Sequence, residues 1–161
     1  MSMNDAAKPG AIGGFAGGAL MTLMIQEVAP KVLPKDMEPG HFAPKLAVQW
    51  GERLVGQPNL LNDRQEMLAA LAVHLGYSAF MGSFYGRVRD EHRSLPVPAA
   101  GALFGLIVWA ISFEGWMPAV GIMKRTTDEP PRKWPAPLMG HVIYGVGTAL
   151  VFHALHGRRK K

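Results

Sequence analysis

The sequence predicts an all-α integral membrane protein, a bundle of four transmembrane helices in one domain that covers residues 1–161. The first observation is that charge is segregated, because four stretches of at least 18 residues contain no Asp, Glu, Lys or Arg. The second is the length of these stretches, since a helix of about 18 residues crosses a hydrocarbon core of about 30 Å. The stretches are residues 9–26, 67–86, 95–113 and 134–157.

The third observation argues against a soluble helical bundle. Residues 99–111 read AAGALFGLIVWAI and are apolar on every face, whereas a helix at the surface of a soluble domain keeps a polar stripe. The chain has no cysteine, which excludes disulfides and thiolate metal ligands. We expect the first stretch to stay in the membrane as a helix, because no small-residue cleavage pattern follows it.

The four predicted helices, called spans 1 to 4, cover about residues 10–29, 66–87, 97–117 and 136–157. Pro30 and Pro34 are expected to end span 1. The long connection over residues 30–65 carries Leu46, Trp50 and Leu54 at helical spacing, which predicts a short amphipathic helix on the membrane surface.

The remaining connections are short. Asn62 and Gln65 have capping-box spacing, which predicts the start of span 2. A charged turn, GRVRDEHRSLPVP, leads into span 3, and a Pro-rich turn, KRTTDEPPRKWPAP, leads into span 4 with Trp134 at interfacial depth. The C-terminal basic block, residues 158–161, favours cytoplasmic N- and C-termini by the positive-inside rule. We expect this block to meet lipid headgroups rather than nucleic acid.

The spans contain an internal repeat. Spans 1 and 3 share G-x3-G-x8-E, at Gly14, Gly18 and Glu27 and at Gly101, Gly105 and Glu114. Spans 2 and 4 share H-x2-Y followed by a small residue, at His74, Tyr77 and Ser78 and at His141, Tyr144 and Gly145. These patterns predict two tandem copies of one helical hairpin, the first with the longer connection.

A buried site is predicted from Glu27, His74, Glu114 and His141. The glutamates lie near the ends of spans 1 and 3, and the histidines lie in the first halves of spans 2 and 4. Because odd and even spans run in opposite directions, all four side chains fall in one leaflet, the outer one if the termini are cytoplasmic. Ionisable groups inside a bilayer cost about 2.5 to 3.5 kcal/mol each, so they usually face the protein interior.

Two further sets of residues accompany this predicted Glu/His cluster. A supporting polar stripe shares the helix faces of the histidines and consists of Tyr77, Ser78, Tyr144 and Thr148. Glycines four residues apart predict close helix packing at Gly14, Gly18, Gly82, Gly86, Gly101 and Gly105. These glycines can serve packing within one chain or form a homo-oligomer with a second copy.

The chemistry of the cluster stays open among four alternatives. The glutamates and histidines can be structural ion pairs, Glu27 with His74 and Glu114 with His141. They can also bind a divalent metal ion such as zinc, iron or manganese, or handle protons or a small solute. A b-type haem between the two histidines is less expected, because glutamates are unusual neighbours for it. Of the other histidines, His153 and His156 are expected at the membrane interface, and His41 and His92 lie in loops.

Several segments together resemble the YagU-type inner-membrane proteins. They are GGALMTLMIQEVAPKVLPKD in span 1, HLGYSAFMGSFYG in span 2, PAAGALFGLIVWAISF in span 3 and GHVIYG in span 4. The resemblance implies a small multi-span protein of the bacterial inner membrane, without an established biochemical activity. The chain departs from the pattern in having no cysteine and compact loops. We expect a non-enzymatic accessory or stress-related protein whose cluster binds a proton or a metal ion; the alternative is a membrane metalloenzyme or a small transporter.

Overall fold

The structure is a computed structural model, which describes residues 3–35, 37, 42–91 and 94–158. It confirms the predicted all-α architecture, because four helical segments are long and apolar enough to cross a membrane. These are span 1 (Asp5–Val32), span 2 (Asp63–Arg89), span 3 (Val97–Ala119) and span 4 (Pro131–His156). The long connection contains an α-helix over Ala43–Leu54, called the surface helix; its place on the membrane surface stays a prediction.

Within these segments the helix type changes along the chain. The longer α-helices are Met3–Leu23, Ala43–Leu54, Asp63–Glu91, Val97–Trp109 and Pro135–Arg158. Spans 1 and 3 continue through π-helical segments, Met24–Val28 and Ala110–Trp116, into the short α-helices Ala29–Val32 and Met117–Ala119. Of two 3-10 turns, Thr126–Asp128 lies in the connection between spans 3 and 4, and Pro131–Lys133 opens span 4.

Span 2 begins at the predicted capping box. The Asn62 side chain accepts a hydrogen bond from the Gln65 amide at 3.0 Å, and the Gln65 side chain accepts one from the Asn62 amide at 3.1 Å. This reciprocal pair satisfies two backbone donors at the helix start. The helix therefore starts at Asp63, three residues before residue 66, where the predicted span 2 began.

Span 1 passes Pro30, which was expected to end it. Proline lacks the amide hydrogen that an α-helix interior needs. The preceding π-helical segment shifts the hydrogen-bond register, so that the Ala29 amide bonds to the Met24 carbonyl, and Pro30 falls in the first turn of a new short helix. The helix ends where Leu33 becomes extended, as expected for a residue that precedes a proline.

Glycines bring the helices of each hairpin into close contact. A methyl group added to Gly14 of span 1 would lie 2.8 Å from the Gly82 Cα of span 2. A methyl group added to Gly101 of span 3 would lie 2.7 Å from the Ala149 Cβ of span 4. Gly82 and Ala149 hold the same place in the predicted repeat, so equivalent positions make the close contact in both hairpins. The other predicted glycines, Gly18, Gly86 and Gly105, also face a neighbouring span at short range.

The two hairpins meet along two lines of contact, called seams, one between spans 1 and 4 and one between spans 2 and 3. The two seams differ. Span 1 packs closely on span 4, where a methyl group added to Gly17 would lie 2.6 Å from the Thr148 Oγ1. In the repeat, the counterpart of Gly17 is Phe104 of span 3, and its ring lies 5.0 Å from the Tyr85 ring of span 2. Large side chains therefore separate spans 2 and 3, whereas glycine joins spans 1 and 4. The predicted pseudo-symmetry is broken on one side, and the gap there becomes the candidate site.

The outer surface of the bundle carries many exposed apolar side chains. Examples from the four spans are Phe15, Phe80, Leu103 and Leu150, each about half exposed. Apolar side chains spread around long helices suit contact with lipid chains rather than water. The surface composition and the four long helices together indicate a membrane protein.

Candidate functional site

The surface helix closes one end of the bundle. Its Lys45 pairs with Glu66 at the start of span 2, 3.0 Å away, and Gln49 donates a hydrogen bond to the same carboxylate. On the other side, the Trp50 indole donates a hydrogen bond to the Val120 carbonyl after span 3, at 3.0 Å. The helix is thus tied to both hairpins at the end where spans 1 and 3 finish and spans 2 and 4 begin.

A cavity of about 490 Å³ lies beneath the surface helix. Its walls come from the ends of spans 1 and 3, the first halves of spans 2 and 4, the surface helix and the connection before span 4. Both π-helical segments contribute to the walls, Ile25 from the first and Ser112, Phe113 and Trp116 from the second. Such segments are frequent at functional sites because they redirect side chains that a regular helix would place elsewhere.

His74 and His141, which hold matching places in the sequence repeat, both line the cavity. The His141 Nδ1 atom is 2.8 Å from the Pro137 carbonyl, which leaves Nε2 for another partner. The His74 ring lies beside the Gly18 backbone, and its buried Nε2 atom makes no hydrogen bond of standard geometry to the described residues. Both imidazoles therefore border one largely apolar space, with His141 Nε2 as the ring nitrogen left for a further partner.

Aromatic rings hold the two imidazoles from the side. The Phe113 ring lies edge-on to His141 with centroids 5.0 Å apart, and the Phe42 ring lies edge-on to His74 at 5.8 Å. Phe42 directly precedes the surface helix, so the first connection contributes to the position of His74. In these two ring contacts, the nitrogens of the imidazoles are the polar side-chain atoms.

A chain of polar groups bridges spans 2 and 3 at the cavity wall. The Tyr77 hydroxyl lies 3.0 Å from the Ser112 hydroxyl, and the Trp116 indole donates to the Tyr77 oxygen at 3.4 Å. These contacts cross the seam that Phe104 holds open. They give the cavity hydroxyl groups that can donate or accept hydrogen bonds.

Two lysines stand at the outer rim of the cavity. Lys133 pairs with Glu129 at 3.1 Å, so its charge is balanced within the rim. Lys124 is exposed and forms no ion pair with the residues that the structure describes. The rim therefore carries a net positive charge.

The two glutamates of the predicted cluster lie elsewhere, which corrects the four-residue arrangement. Glu27 points outward and pairs with Lys31 at 3.8 Å, with 64% of its side chain exposed. Glu114 accepts hydrogen bonds from the Thr127 amide and hydroxyl, at 3.1 and 2.7 Å. The expected pairs of Glu27 with His74 and Glu114 with His141 are therefore not formed.

The physical reason is the helix type. Each glutamate lies in a π-helical segment, where the side chains no longer follow the 3.6-residue period of an α-helix. In span 3 the backbone also leaves helical geometry at Gly115, directly after Glu114. Among the described residues, no group of three or more His, Asp or Glu side chains is placed to hold a metal ion.

The supporting stripe divides between the cavity and the packing core. Tyr77, Ser78 and Tyr144 line the cavity, and the Tyr144 hydroxyl donates to the Ser78 carbonyl at 2.8 Å. Thr148 is fully buried, and its hydroxyl donates to the Tyr144 carbonyl in its own helix. Thr148 therefore serves the contact with span 1 rather than the cavity.

The predictions for the other four histidines have different outcomes. His153 is exposed, whereas His156 is buried and stacks on the Phe152 ring with the centroids 4.9 Å apart; both lie in the last turns of span 4. His41 and His92, like residues 159–161 of the basic block, lie outside the described residues.

Ser112, Phe113, Trp116 and Lys124 belong to the site but were not singled out in the sequence. Ser112 carried a usable signal, because it is the one hydroxyl in the apolar stretch 95–113 that follows the prolines opening span 3. Lys124 carried none, because its position depends on how the connection folds over the bundle.

Comparison with known proteins gives one family and no individual relative. No curated protein and no solved structure matches the chain. The match to a family covers residues 44–150, from the surface helix through most of span 4, and so includes most of the cavity. The chain therefore belongs to the family described as Protein of unknown function (DUF1440).

Proposed function

We propose that this membrane protein binds a small membrane-soluble molecule in the cavity, with His74 and His141 as its polar contacts. The observation that supports this most is the convergence of two imidazoles on one mainly apolar space, where His141 keeps its Nε2 atom for a further partner. Small-molecule sites typically combine apolar walls with a few directed polar groups. In such a setting a polar atom without a protein partner favours a ligand or water.

Binding is favoured over passage of a solute, which would be the role of a small transporter. Below the cavity, toward the chain termini, the Tyr85 ring packs against Phe104 at a tilt and against Phe152 edge-on, between the spans. Tyr144 extends this aromatic layer, with its ring 5.8 Å from Phe104. A layer of packed rings blocks a continuous polar path, so a closed-ended binding site fits better.

A metal ion is the second candidate ligand, and one contact supports it. The hydrogen bond between His141 Nδ1 and the Pro137 carbonyl orients the ring as in many metal-ligating histidines. The two imidazoles would supply two ligands, and water or a bound molecule would complete the coordination. A catalytic metal centre would extend this second candidate, whereas the preferred role is non-enzymatic.

The cellular setting is part of the same proposal. We propose a YagU-type protein of the bacterial inner membrane, with an accessory or stress-related role and both termini in the cytoplasm. The basic block that ends the chain supports this orientation. In it, the cavity opens toward the outer leaflet. Because the predicted packing glycines all contact spans of the same chain, a homo-oligomer would use other faces.

The test is recovery of a bound molecule from purified protein. Protein purified in mild detergent is extracted, and its small molecules and metals are measured by mass spectrometry. We expect a stoichiometric organic ligand in the unaltered protein and its loss in Ala47→Phe, because Ala47 lines the cavity. Val48→Phe is the matched control, since Val48 is on the same helix but is not part of the cavity wall.

The histidine variants separate the alternatives. Loss of the ligand in both His74→Ala and His141→Ala, with helicity unchanged, supports the proposed role of the imidazoles. Stoichiometric metal that disappears in both variants would favour the second candidate. An empty unaltered protein whose histidine variants lose only thermal stability would contradict the proposal.

A further inference from the structure

We infer that the ligand is an amphiphile with a single acyl chain and an anionic headgroup, taken up from the bilayer between spans 2 and 3. This inference rests on the proposed function and names its ligand class. It comes from the position of the cavity mouth, the size of the cavity and the charge at its rim.

The mouth of the cavity is the part of its wall where the lining residues are also exposed at the protein surface. Val73 of span 2 is 50% exposed and Trp116 of span 3 is 39% exposed, and both lie on the seam that Phe104 holds open. Lys124, in the connection after span 3, is the exposed charged residue of the same rim. The mouth thus extends from the apolar flank of the bundle to the level of the connecting segments.

That layout matches the layers of a bilayer leaflet. The flank between Val73 and Trp116 lies within the apolar spans, where acyl chains surround the protein. Lys124 lies beyond the span, where lipid headgroups are found and where basic side chains attract anionic lipids. A molecule that moves sideways from the leaflet would bring its chain to the flank and its headgroup to Lys124.

The volume sets the size of the occupant. A cavity of about 490 Å³ lies within the range of about 300 to 1,000 Å³ that typically holds one small ligand. We expect a space of this size to hold one acyl chain rather than the two of a phospholipid. A fatty acid or a lysophospholipid has the required single chain.

The charge at the rim selects the headgroup. The carboxylate of Glu129 is already paired with Lys133, so it opposes an anionic headgroup less than a free carboxylate would. Lys124 has no such partner among the described residues and can pair with a carboxylate or a phosphate. Deeper in the cavity, His74 and His141 can donate to an ester or hydroxyl oxygen near the start of the chain.

The experiment measures binding of a charged probe and its neutral twin. A dansylated undecanoic acid and its methyl ester are titrated into the protein in nanodiscs of zwitterionic lipid. We expect the acid to bind more tightly than the ester, and Lys124→Gln to weaken acid binding by about three- to tenfold while ester binding stays the same. Lys124→Arg should retain tight binding of the acid.

Arg125→Gln is the matched control, because Arg125 is an exposed neighbouring cation outside the cavity wall. Displacement of the acid by both oleate and oleoyl lysophosphatidate supports the shared chemistry, and displacement by one alone identifies the headgroup as a carboxylate or a phosphate. Equal binding of acid and ester, or no effect of Lys124→Gln, would overturn the anionic headgroup and leave the proposed function standing. If neither probe binds and Ala47→Phe changes nothing, the proposed function itself fails.

Discussion

Single positions decide how closely the helices approach. Gly105 faces the backbone carbonyl of His141, so a methyl group there would overlap an atom that cannot move independently of its helix. Gly76 is also a mid-helix glycine, but an added methyl group would meet nothing within 4 Å. Both are glycines inside a helix, but only Gly105 has a second glycine four residues away, Gly101.

We therefore expect Gly105→Ala to lower the free energy of unfolding by about 1 to 3 kcal/mol, because overpacking forces helices apart. Gly76→Ala should leave stability unchanged or raise it by up to about 1 kcal/mol, since alanine favours helix more than glycine does. Denaturant unfolding in one detergent, followed by circular dichroism, measures both. Equal midpoints for the two variants would show that spans 3 and 4 do not cross at Gly105.

At the scale of elements, the surface helix depends on a few polar contacts. Glu66 receives both Lys45 and Gln49 from the surface helix, and its side chain is only 11% exposed. Glu52, at the other end of the same helix, accepts a hydrogen bond from the Leu61 amide at 2.9 Å. These contacts position the helix that forms the roof of the cavity.

Glu66→Gln should loosen this helix without unfolding the bundle. Loss of the charge weakens a partly buried ion pair, for which about 1 kcal/mol and hence about fivefold faster amide exchange is expected. Hydrogen exchange of residues 43–54, followed by mass spectrometry, gives the measurement. Glu27→Gln is the control, because the Glu27–Lys31 pair is largely exposed and lies on span 1. Exchange that rises equally in both variants would assign no special role to Glu66.

At the scale of the whole molecule, four spans place the connections on alternate sides of the membrane. The surface helix and the connection before span 4 then share one side with the mouth of the cavity, and the turn between spans 2 and 3 lies on the other side with the termini. The absence of cysteine makes this testable, because any introduced thiol is the sole reactive one.

We expect Gln57→Cys and Asp128→Cys to react with a membrane-impermeant maleimide applied to intact cells. Ser94→Cys should react only after the membrane is permeabilised, since it lies in the turn between spans 2 and 3. All three residues are exposed in the structure. The reverse pattern would keep the four-span topology but place the termini outside. Labelling of all three positions from one side would contradict the topology.

Much of the architecture was predictable because it depends on local chemistry. Charge-free stretches predicted the four spans, the capping box predicted the start of span 2, and the stripe of Leu46 and Trp50 predicted the surface helix. The site was only partly predictable. The two histidines that line the cavity stand at matching places of a repeat on regular helices, whereas Glu27 and Glu114 lie in π-helical segments that the sequence pattern did not indicate.

The sequence by itself determined that this chain forms four long apolar helices, because membrane burial and helix periodicity act on residues that are close in the chain. Only the tertiary structure decided that the hairpins meet unequally, with Gly17 at the close seam and Phe104 at the open one. The cavity results from that inequality. Its position depends on the sizes of side chains from distant segments that pack against one another, and no local pattern records which segments will meet.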